Sequence, residues 1–223
     1  MDAYATSDIN APVSGTLRVD VIAHDATGPT AAPVHTITAP FDLSPLASAR
    51  LVARNVTDLL AEAGGWAAGD VFVRISATAT EKAVTPGAAL LAGGGPLTSA
   101  WSVWLAEPKD SRINPAPGVA AGQWAQAGPA EATFALSSAG VAHHVSLAVP
   151  GLKGATFSDS NMAVLPWEPL TLTLTAAEPF DAADVAARLE ITTLADAFSS
   201  FDSAYFKKAT ATCAAAGTIN KKP

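Results

Sequence analysis

Short runs that alternate apolar and polar residues constrain the fold of this sequence most. The clearest run lies in residues 157–175, FSDSNMAVLPWEPLTLTLT, where Leu170, Leu172 and Leu174 alternate with threonines. Side chains at i and i+2 of a strand lie on one face, so this spacing is typical of a half-buried strand. The same period recurs in residues 15–22, 70–76, 97–105, 132–136 and 143–149. The sequence therefore predicts an all-β fold rather than alternating strands and helices.

Weaker sequence patterns predict further strands and two short helices. Residues 34–39, 48–56 and 189–191 are predicted strands, and Pro40 and Pro45 bracket a predicted loop. A short helix is predicted over residues 59–63, with either Thr57 or Asp58 as its cap, and Gly64 follows it. A second short helix is predicted over residues 181–188 with Asp181 as its cap. These helices are short connections within a β fold.

The length and a proline-rich segment predict two domains. At 223 residues and 49% hydrophobic composition, the chain accommodates two sandwiches of about 100 residues each. Residues 107–118, EPKDSRINPAPG, have the composition of a stiff connection. We therefore predict two consecutive immunoglobulin-like β-sandwich domains, residues 1–109 and 110–202. Residues 203–223 are rich in Ala, Thr, Ser and Lys and are predicted to be a disordered tail.

Charge and terminal composition exclude several classes of partner. The chain has 20 acidic and 13 basic residues, whereas a nucleic-acid surface needs a basic patch. The start, MDAYATSDIN, has neither a basic nor an apolar segment of a signal peptide. No run of about 18 apolar residues occurs, and the single cysteine, Cys213, excludes an internal disulfide framework. The sequence predicts a soluble chain without nucleic-acid or membrane partners.

The glutamates do not form a recognisable catalytic motif. Glycoside hydrolysis needs two carboxyl groups about 5–10 Å apart across a sugar site. Glu168 lies between two prolines and is predicted to accept backbone N–H bonds within its turn. The remaining glutamates lie at a predicted helix end, in loops or on strand faces: Glu62, Glu81, Glu107, Glu131, Glu178 and Glu190.

Metal, phosphate and hydrolase motifs are equally unsupported. His143 and His144 are neighbours on a predicted strand, so their side chains point to opposite faces and do not share one ion. His24 and His35 stand alone in the sequence. Residues 93–95 are three glycines without the Lys-Ser/Thr of a phosphate loop, and Gly-x-Ser-x-Gly is absent. The sequence indicates no catalytic, cofactor-binding or metal-binding residue and no cofactor.

The aromatic residues leave two interpretations open. Tryptophan fills sandwich cores, but exposed tryptophan on a sandwich also stacks on sugars. The five tryptophans are Trp66, Trp101, Trp104, Trp124 and Trp167. Separately, Asn55-Val56-Thr57 matches the N-glycosylation sequon, which matters only if the chain enters the secretory route.

Residues 157–175 resemble the C-terminal end of the β-mannosidases of glycoside hydrolase family two. The corresponding pieces here are Phe157-Ser158-Asp159, Leu165-Pro166-Trp167-Glu168-Pro169 and Thr193-Leu194-Ala195-Asp196, the last as the family's closing strand, which follows a short helix. Residues 12–17 resemble the start of the sandwich domain that follows the family's barrel, and residues 107–110 resemble its junction with the last domain. The tail after Phe198 has no counterpart in the resemblance.

The resemblance implies a non-catalytic role. In the family the catalytic (β/α)₈ barrel carries both catalytic glutamates, and it would lie outside this sequence, so none of these residues inherits a catalytic role. The expected function is that of an accessory β-sandwich region of an enzyme that hydrolyses terminal β-linked mannose. The expected partners are such a barrel and an oligosaccharide, and the family is often lysosomal, vacuolar or secreted. The alternatives are a free-standing carbohydrate-binding module, through Trp124 or Trp167, and a structural interaction module.

Two turn segments are predicted to be structural staples. The prolines of residues 166–169 fix φ and hold the residues before them extended, which lowers the entropy lost on folding. Asp159 is predicted to accept nearby backbone N–H groups. Phe157 and Trp167 are predicted to clamp the turn to the sandwich core.

Overall fold

The structure, a computed structural model, describes residues 1–8, 10–81 and 97–200. The chain divides into two compact units. The first comprises Met1–Ala26 and Thr30–Ile113, and the second comprises Thr27–Pro29 and the chain from Asn114 onward. The division at Ile113 and Asn114 falls within the proline-rich segment, which contains a single-turn 3₁₀ helix at Pro108–Asp110. The predicted tail, residues 203–223, lies outside the described residues.

The first unit is built around a central strand. Its elements are β1 (Asp2–Thr6), β2 (Val13–Ala23), β3 (His35–Leu43), β4 (Ser48–Ala53), α1 (Val56–Glu62), β5 (Val71–Glu81) and β6 (Leu97–Trp104). One antiparallel sheet has the order β3-β2-β5-β6, and β1 pairs with β4 in a second sheet. Leu17, Val19 and Val21 of β2 are buried and pack with Val73 of β5 and Val52 of β4. The predicted alternation of residues 15–22 is confirmed.

Two details of the first unit differ from the sequence predictions. Strand β3 continues through Pro40 to Leu43, where a loop was predicted. Because β3 is an edge strand, the missing N–H of Pro40 costs no hydrogen bond within the sheet. Helix α1 begins at Val56, so Thr57 and Asp58 are wrong as caps. The cap is Asn55, whose backbone is extended and whose side chain accepts a hydrogen bond from the Thr57 N–H at 2.9 Å.

The second unit also contains two described antiparallel sheets. Its elements are β7 (Val119–Gly128), β8 (Glu131–Ser138), β9 (Ala142–Ala148), β10 (Thr156–Phe157), β11 (Met162–Val164), β12 (Leu170–Thr175), α2 (Ala182–Arg188), β13 (Glu190–Thr192) and α3 (Leu194–Ser200). The sheets have the orders β10-β12-β8-β7 and β11-β9-β13. Leu172 and Leu174 of β12 are buried and stand opposite Phe134 and Ala132 of β8. The predicted strand at the centre of residues 157–175 is confirmed, with its leucines in the core of this unit.

Helix starts in the second unit follow side-chain capping. Asp181 caps α2 as predicted, since its carboxylate accepts from the Ala183 N–H at 2.7 Å. The resemblance placed a strand at residues 193–196, and this is wrong. Thr193 and Asp196 form a reciprocal cap that starts α3. The Asp196 carboxylate accepts from the Thr193 N–H at 2.7 Å and from its hydroxyl at 2.8 Å, while the Asp196 N–H reaches back to that hydroxyl at 3.4 Å.

Gly15 of β2 provides a test of the first sheet. A Cβ at this position would lie 2.3 Å from the Thr78 carbonyl oxygen and 2.6 Å from Cζ of Phe41. We expect Gly15→Ala to lower the free energy of unfolding of the first unit by about 1–3 kcal/mol, because a backbone oxygen has little freedom to move away. Gly122→Ala is the matched control, since its Cβ would have no heavy atom within 4 Å. Urea unfolding measures both, and equal midpoints would contradict the packing described for Gly15.

Candidate functional site

The glutamates lie in separate environments. Glu62 at the end of α1 is near His35, with a carboxylate-to-Nε2 distance of 3.6 Å, and near Arg54 at 3.8 Å. Glu107 is exposed and lies 2.8 Å from the Lys109 ammonium, whose hydrogen bond and charge lower the Glu107 pKa. Glu131 and Glu190 are exposed on strands, Glu168 and Glu178 are half-buried, and Glu81 ends β5. In the ion pairs of Glu62 and Glu107, the carboxylate lies next to a basic side chain and not next to a second carboxylate. Pairs of this kind are typical of the protein surface.

A buried carboxylate on the first sheet was missed by the sequence analysis. Asp20 is 3% exposed, and its carboxylate accepts from Arg18 Nε at 2.8 Å and from the Thr36 hydroxyl at 2.6 Å. Arg18 and Asp20 share a face because they are two residues apart on β2. The Arg-x-Asp spacing was therefore a visible signal, but the burial of Asp20 was not. The Asp20 carboxylate thus accepts a charge-assisted hydrogen bond from Arg18 and a second hydrogen bond from the Thr36 hydroxyl. These bonds compensate its burial, and they link β2 to β3.

His24, next to the end of β2, is a buried titratable group. The side chain is fully buried, and its ring lies 5.2 Å from the Phe72 ring and 4.7 Å from the Trp104 ring, measured between centroids. Burial lowers the pKa of His24 to about 4, despite a backbone hydrogen bond at Val71 and the carboxylates of Asp70 and Asp25. His24 is therefore neutral near pH 7 and belongs to an aromatic cluster rather than to a catalytic pair.

His143 and His144 occupy different environments, as the strand spacing predicted. His143 is 4% exposed, whereas His144 is exposed and its Nδ1 lies 2.9 Å from Oδ1 of Asn161. His144 has φ of 49°, at an irregularity in the pairing of β9 with β11. Among the described residues, no group of three or more His, Cys, Asp or Glu side chains is arranged to hold a metal ion. No described helix has the length and apolar composition needed to cross a membrane.

The turn at residues 157–161 is tied to the core by the predicted groups. The Asp159 carboxylate accepts from the Ser160 N–H at 2.7 Å, which confirms its capping role. Ser158 bonds Thr173 of β12 twice: its N–H donates to the Thr173 carbonyl at 2.8 Å, and its hydroxyl accepts from the Thr173 N–H at 3.0 Å. Phe157 packs on the core, with its ring centroid 6.1 Å from that of Phe134. This segment is a structural staple.

The second turn, residues 165–169, is anchored differently from the prediction. Leu165 and Pro166 are buried, and the Glu168 N–H donates to the Leu165 carbonyl at 3.2 Å. Trp167 is half-buried and, in the described part of the second unit, is not among the side chains that pack against the core. The predicted clamp is therefore wrong for Trp167 and confirmed for Phe157, which packs against the core. The backbone N–H acceptance predicted for the Glu168 carboxylate stays a prediction.

The tryptophans divide between core and surface. Trp124 is half-buried and stacks on Phe134 at 4.3 Å with an interplanar angle of 12°. Trp104 is half-buried against His24. Trp101 is 70% exposed and Trp66 is 36% exposed. The exposed tryptophans, Trp66 and Trp101, are thus on the first unit, whereas Trp124 and Trp167 were the predicted residues for sugar stacking.

Asn55 is exposed, as a glycan acceptor must be, but it already has a structural role as the cap of α1. Its Oδ1 makes the capping bond, and the sequon hydroxyl of Thr57 is also on an exposed residue. Modification of Asn55 stays a prediction.

Comparison with known proteins shows that most of the second unit is similar to a known domain family. Residues 115–197 match Ig_mannosidase, an Ig-fold domain. We call this matched segment, which is similar to that domain, the mannosidase-type domain. The match confirms the resemblance to the C-terminal Ig-like domain of β-mannosidases, and the all-β fold class is confirmed with it. The mannosidase-type domain includes both sheets of the second unit and the staple at residues 157–161. The first unit lies outside this match, so its Ig-like assignment stays a prediction.

Solved structures extend the similarity in fold. The chain is similar to the β-D-mannosidase from Dictyoglomus thermophilum, with a TM-score of 0.59 and 11% identity over 86% of this chain and 20% of that chain. The chain thus spans about a fifth of the neighbour's length, and at this identity the similarity shows the fold alone. Red sea bream transglutaminase also matches, with a TM-score of 0.27 and 13% identity over 86% of this chain and 26% of that chain. A TM-score of 0.27 is too low to indicate a shared fold. No curated protein sequence matches the chain.

Replacing tryptophans tests which of them are structural. We expect Trp124→Ala to lower the free energy of unfolding of the mannosidase-type domain by about 2–3 kcal/mol, because a half-buried indole stacked on Phe134 is lost. Trp101→Ala is the control, since removal of an exposed side chain changes stability by about 0.5 kcal/mol or less. Thermal unfolding monitored by circular dichroism measures both variants. A stability loss in Trp101→Ala as large as that in Trp124→Ala would contradict this assignment.

His24 predicts a pH dependence of stability. Its pKa is about 4 when folded and near 6.5 when unfolded, so between these values the unfolded chain binds the extra proton. The free energy of unfolding should therefore fall as the pH decreases from 6.5 to 4, by at most about 1.4 kcal/mol per pH unit from this group. Urea unfolding of the native chain and of His24→Phe at several pH values isolates the contribution. Parallel pH profiles for the two proteins would show that His24 does not cause it.

Proposed function

We propose that this chain is a non-catalytic accessory β-sandwich region of a β-mannosidase-type glycoside hydrolase. The match of residues 115–197 to the mannosidase Ig-fold domain is the observation that carries the proposal. The role is to brace a catalytic barrel that hydrolyses terminal β-linked mannose, with that barrel as the partner. The fold shared with the Dictyoglomus thermophilum β-D-mannosidase over 86% of this chain supports the same context for both units.

The chemistry of the described residues fits a bracing role. The buried carboxylate of Asp20 is bonded within its own sheet, to Arg18 and Thr36. The turn of residues 157–161 bonds to β12 rather than presenting its polar groups to a cleft. Polar groups that are hydrogen-bonded within the domain stabilise its surface in one conformation. A domain that supports a neighbouring barrel needs such a rigid surface.

A carbohydrate-binding module is the second candidate, and the aromatic geometry disfavours its proposed residues. Stacking on a sugar requires an accessible ring face, and the Trp124 ring stacks on Phe134 at 4.3 Å. Trp167 is half-buried. The exposed Trp101 and Trp66 remain as ring faces for a sugar on the first unit.

Activity measurements test the non-catalytic role. We expect the purified chain to release no chromophore from a chromogenic β-mannoside above the buffer rate, because both catalytic carboxylates belong to the proposed barrel. A β-mannosidase of known activity serves as the positive control. Reproducible turnover that persists in independent preparations would overturn the proposal.

The proposed partner requires its own experiment. Sequencing of the full-length transcript determines whether an in-frame barrel accompanies these residues, and a barrel would support the accessory role. With that barrel available, its thermal stability is compared with and without this region. A barrel that is equally stable and active in both forms would contradict bracing.

A further inference from the structure

The outer edge of β6 is one of the two ends of the first sheet. In the order β3-β2-β5-β6, β6 bonds to β5 on one side and to no other described strand on the other side. An unpaired strand edge presents a row of backbone N–H and C=O groups that pair readily with another chain. Native proteins protect such edges with prolines, charged residues, bulges or very short strands.

Other edge strands of both units carry these protections. The opposite edge of the same sheet, β3, contains Pro40 and Asp42. In the second unit, the edge strand β7 has two register shifts against β8, one of which leaves Gln123 and Trp124 opposite Phe134. Strands β10, β11 and β13 have two or three residues each. Strand β1 has a register shift and begins with Asp2, and its partner β4 contains Arg50.

Strand β6 has none of these protections. Its sequence, LTSAWSVW, contains no charged residue, glycine or proline over eight residues. It pairs with β5 in an unbroken register from Phe72 and Trp104 to Ala79 and Leu97. Thr98, Ser99, Ala100 and Trp101 are all exposed. A long, regular and uncharged edge with no partner among the described strands is the kind that another strand extends.

Trp101 gives this edge an apolar side chain to bury. It stands opposite Ile75, which packs against the core of the first unit together with Ala77 and Val103. Trp101 is therefore on the core-facing side of the sheet, yet it is 70% exposed. A strand added next to β6 would cover this ring, and the removal of its area from water would favour the addition.

We propose that β6 pairs antiparallel with β6 of a second copy of this chain, which joins the two first sheets into one. A two-fold axis at Ala100 sets Ala100 opposite its own copy, Trp101 opposite Ser99, and Ser102 opposite Thr98. This register sets the large Trp101 against the small Ser99 and sets Ser102 against Thr98, both small and polar. The edges carry no like charges to repel, because the nearest sheet charge, Arg74, is on β5 opposite Ser102.

Sedimentation equilibrium of the whole chain over a concentration series tests the proposal. We expect a monomer–dimer equilibrium, and Ala100→Lys should raise the dimer Kd about tenfold or more, because it sets two ammonium groups opposite each other at the axis. Thr38→Lys is the matched control, because Thr38 is exposed in the middle of β3, at the opposite edge of the same sheet. The dimer Kd of this variant should equal that of the native chain. Circular dichroism verifies that both variants are folded.

A cross-link tests the register without weakening the edge. Residues directly opposite in an antiparallel pair have Cβ atoms close enough for a disulfide. In a Cys213→Ser background, oxidised Ala100→Cys should therefore form a covalent dimer, whereas Thr38→Cys should not. A chain that stays monomeric throughout the series would overturn the proposal. A dimer that Ala100→Lys and Thr38→Lys affect equally would show that a different surface holds it together.

Discussion

The burial of one face of a central strand is the constraint on which each unit depends. In the first unit β2 lies between β3 and β5 and pairs with both over most of its length. Because the side-chain period of a strand is two, a slip of one residue would turn Leu17, Val19 and Val21 out of the core. In the second unit β8 has the same position between β12 and β7, with Phe134 and Leu136 buried. These two strands fix the registers of the strands that pair with them, β3 and β5 in the first unit and β7 and β12 in the second.

The strands that could be predicted from sequence are those with large apolar residues on one face, such as β2, β5, β8 and β12. Strands β1, β7, β10 and β11 were missed. Of these, β1 and β7 have the sequences DAYAT and VAAGQWAQAG, in which alanine, glycine and glutamine give little contrast between faces. Their strand state comes from pairing with a partner that is already fixed, and a single sequence does not show the partner. The start of α1 was misplaced for a related reason, since a cap depends on the backbone geometry of Asn55 as well as on residue type.

The chemistry of the side chains shows the same division. Asp159 and Asp181 were predictable because each acts on a backbone N–H one or two residues away. Asp20 and His24 were not, because their burial depends on what packs over the sheet far along the sequence. The tryptophans follow this rule too: stacking of Trp124 on Phe134 depends on the irregular pairing of β7 with β8, which no local pattern encodes.

Edge protection connects the fold to its context. The two register shifts in β7 cost stability within its sheet because they interrupt regular pairing, whereas Pro40 removes one backbone donor from the edge strand β3 without interrupting its register. These features are explained if the β3 and β7 edges must not pair with a strand of another chain. The regular β6 edge retains full pairing with β5 and leaves Trp101 in water, a cost that a partner strand would recover. Among the described sheet edges, the distribution of bulges, prolines and charges therefore distinguishes edges that avoid pairing with another strand from the β6 edge, which is suited to such pairing.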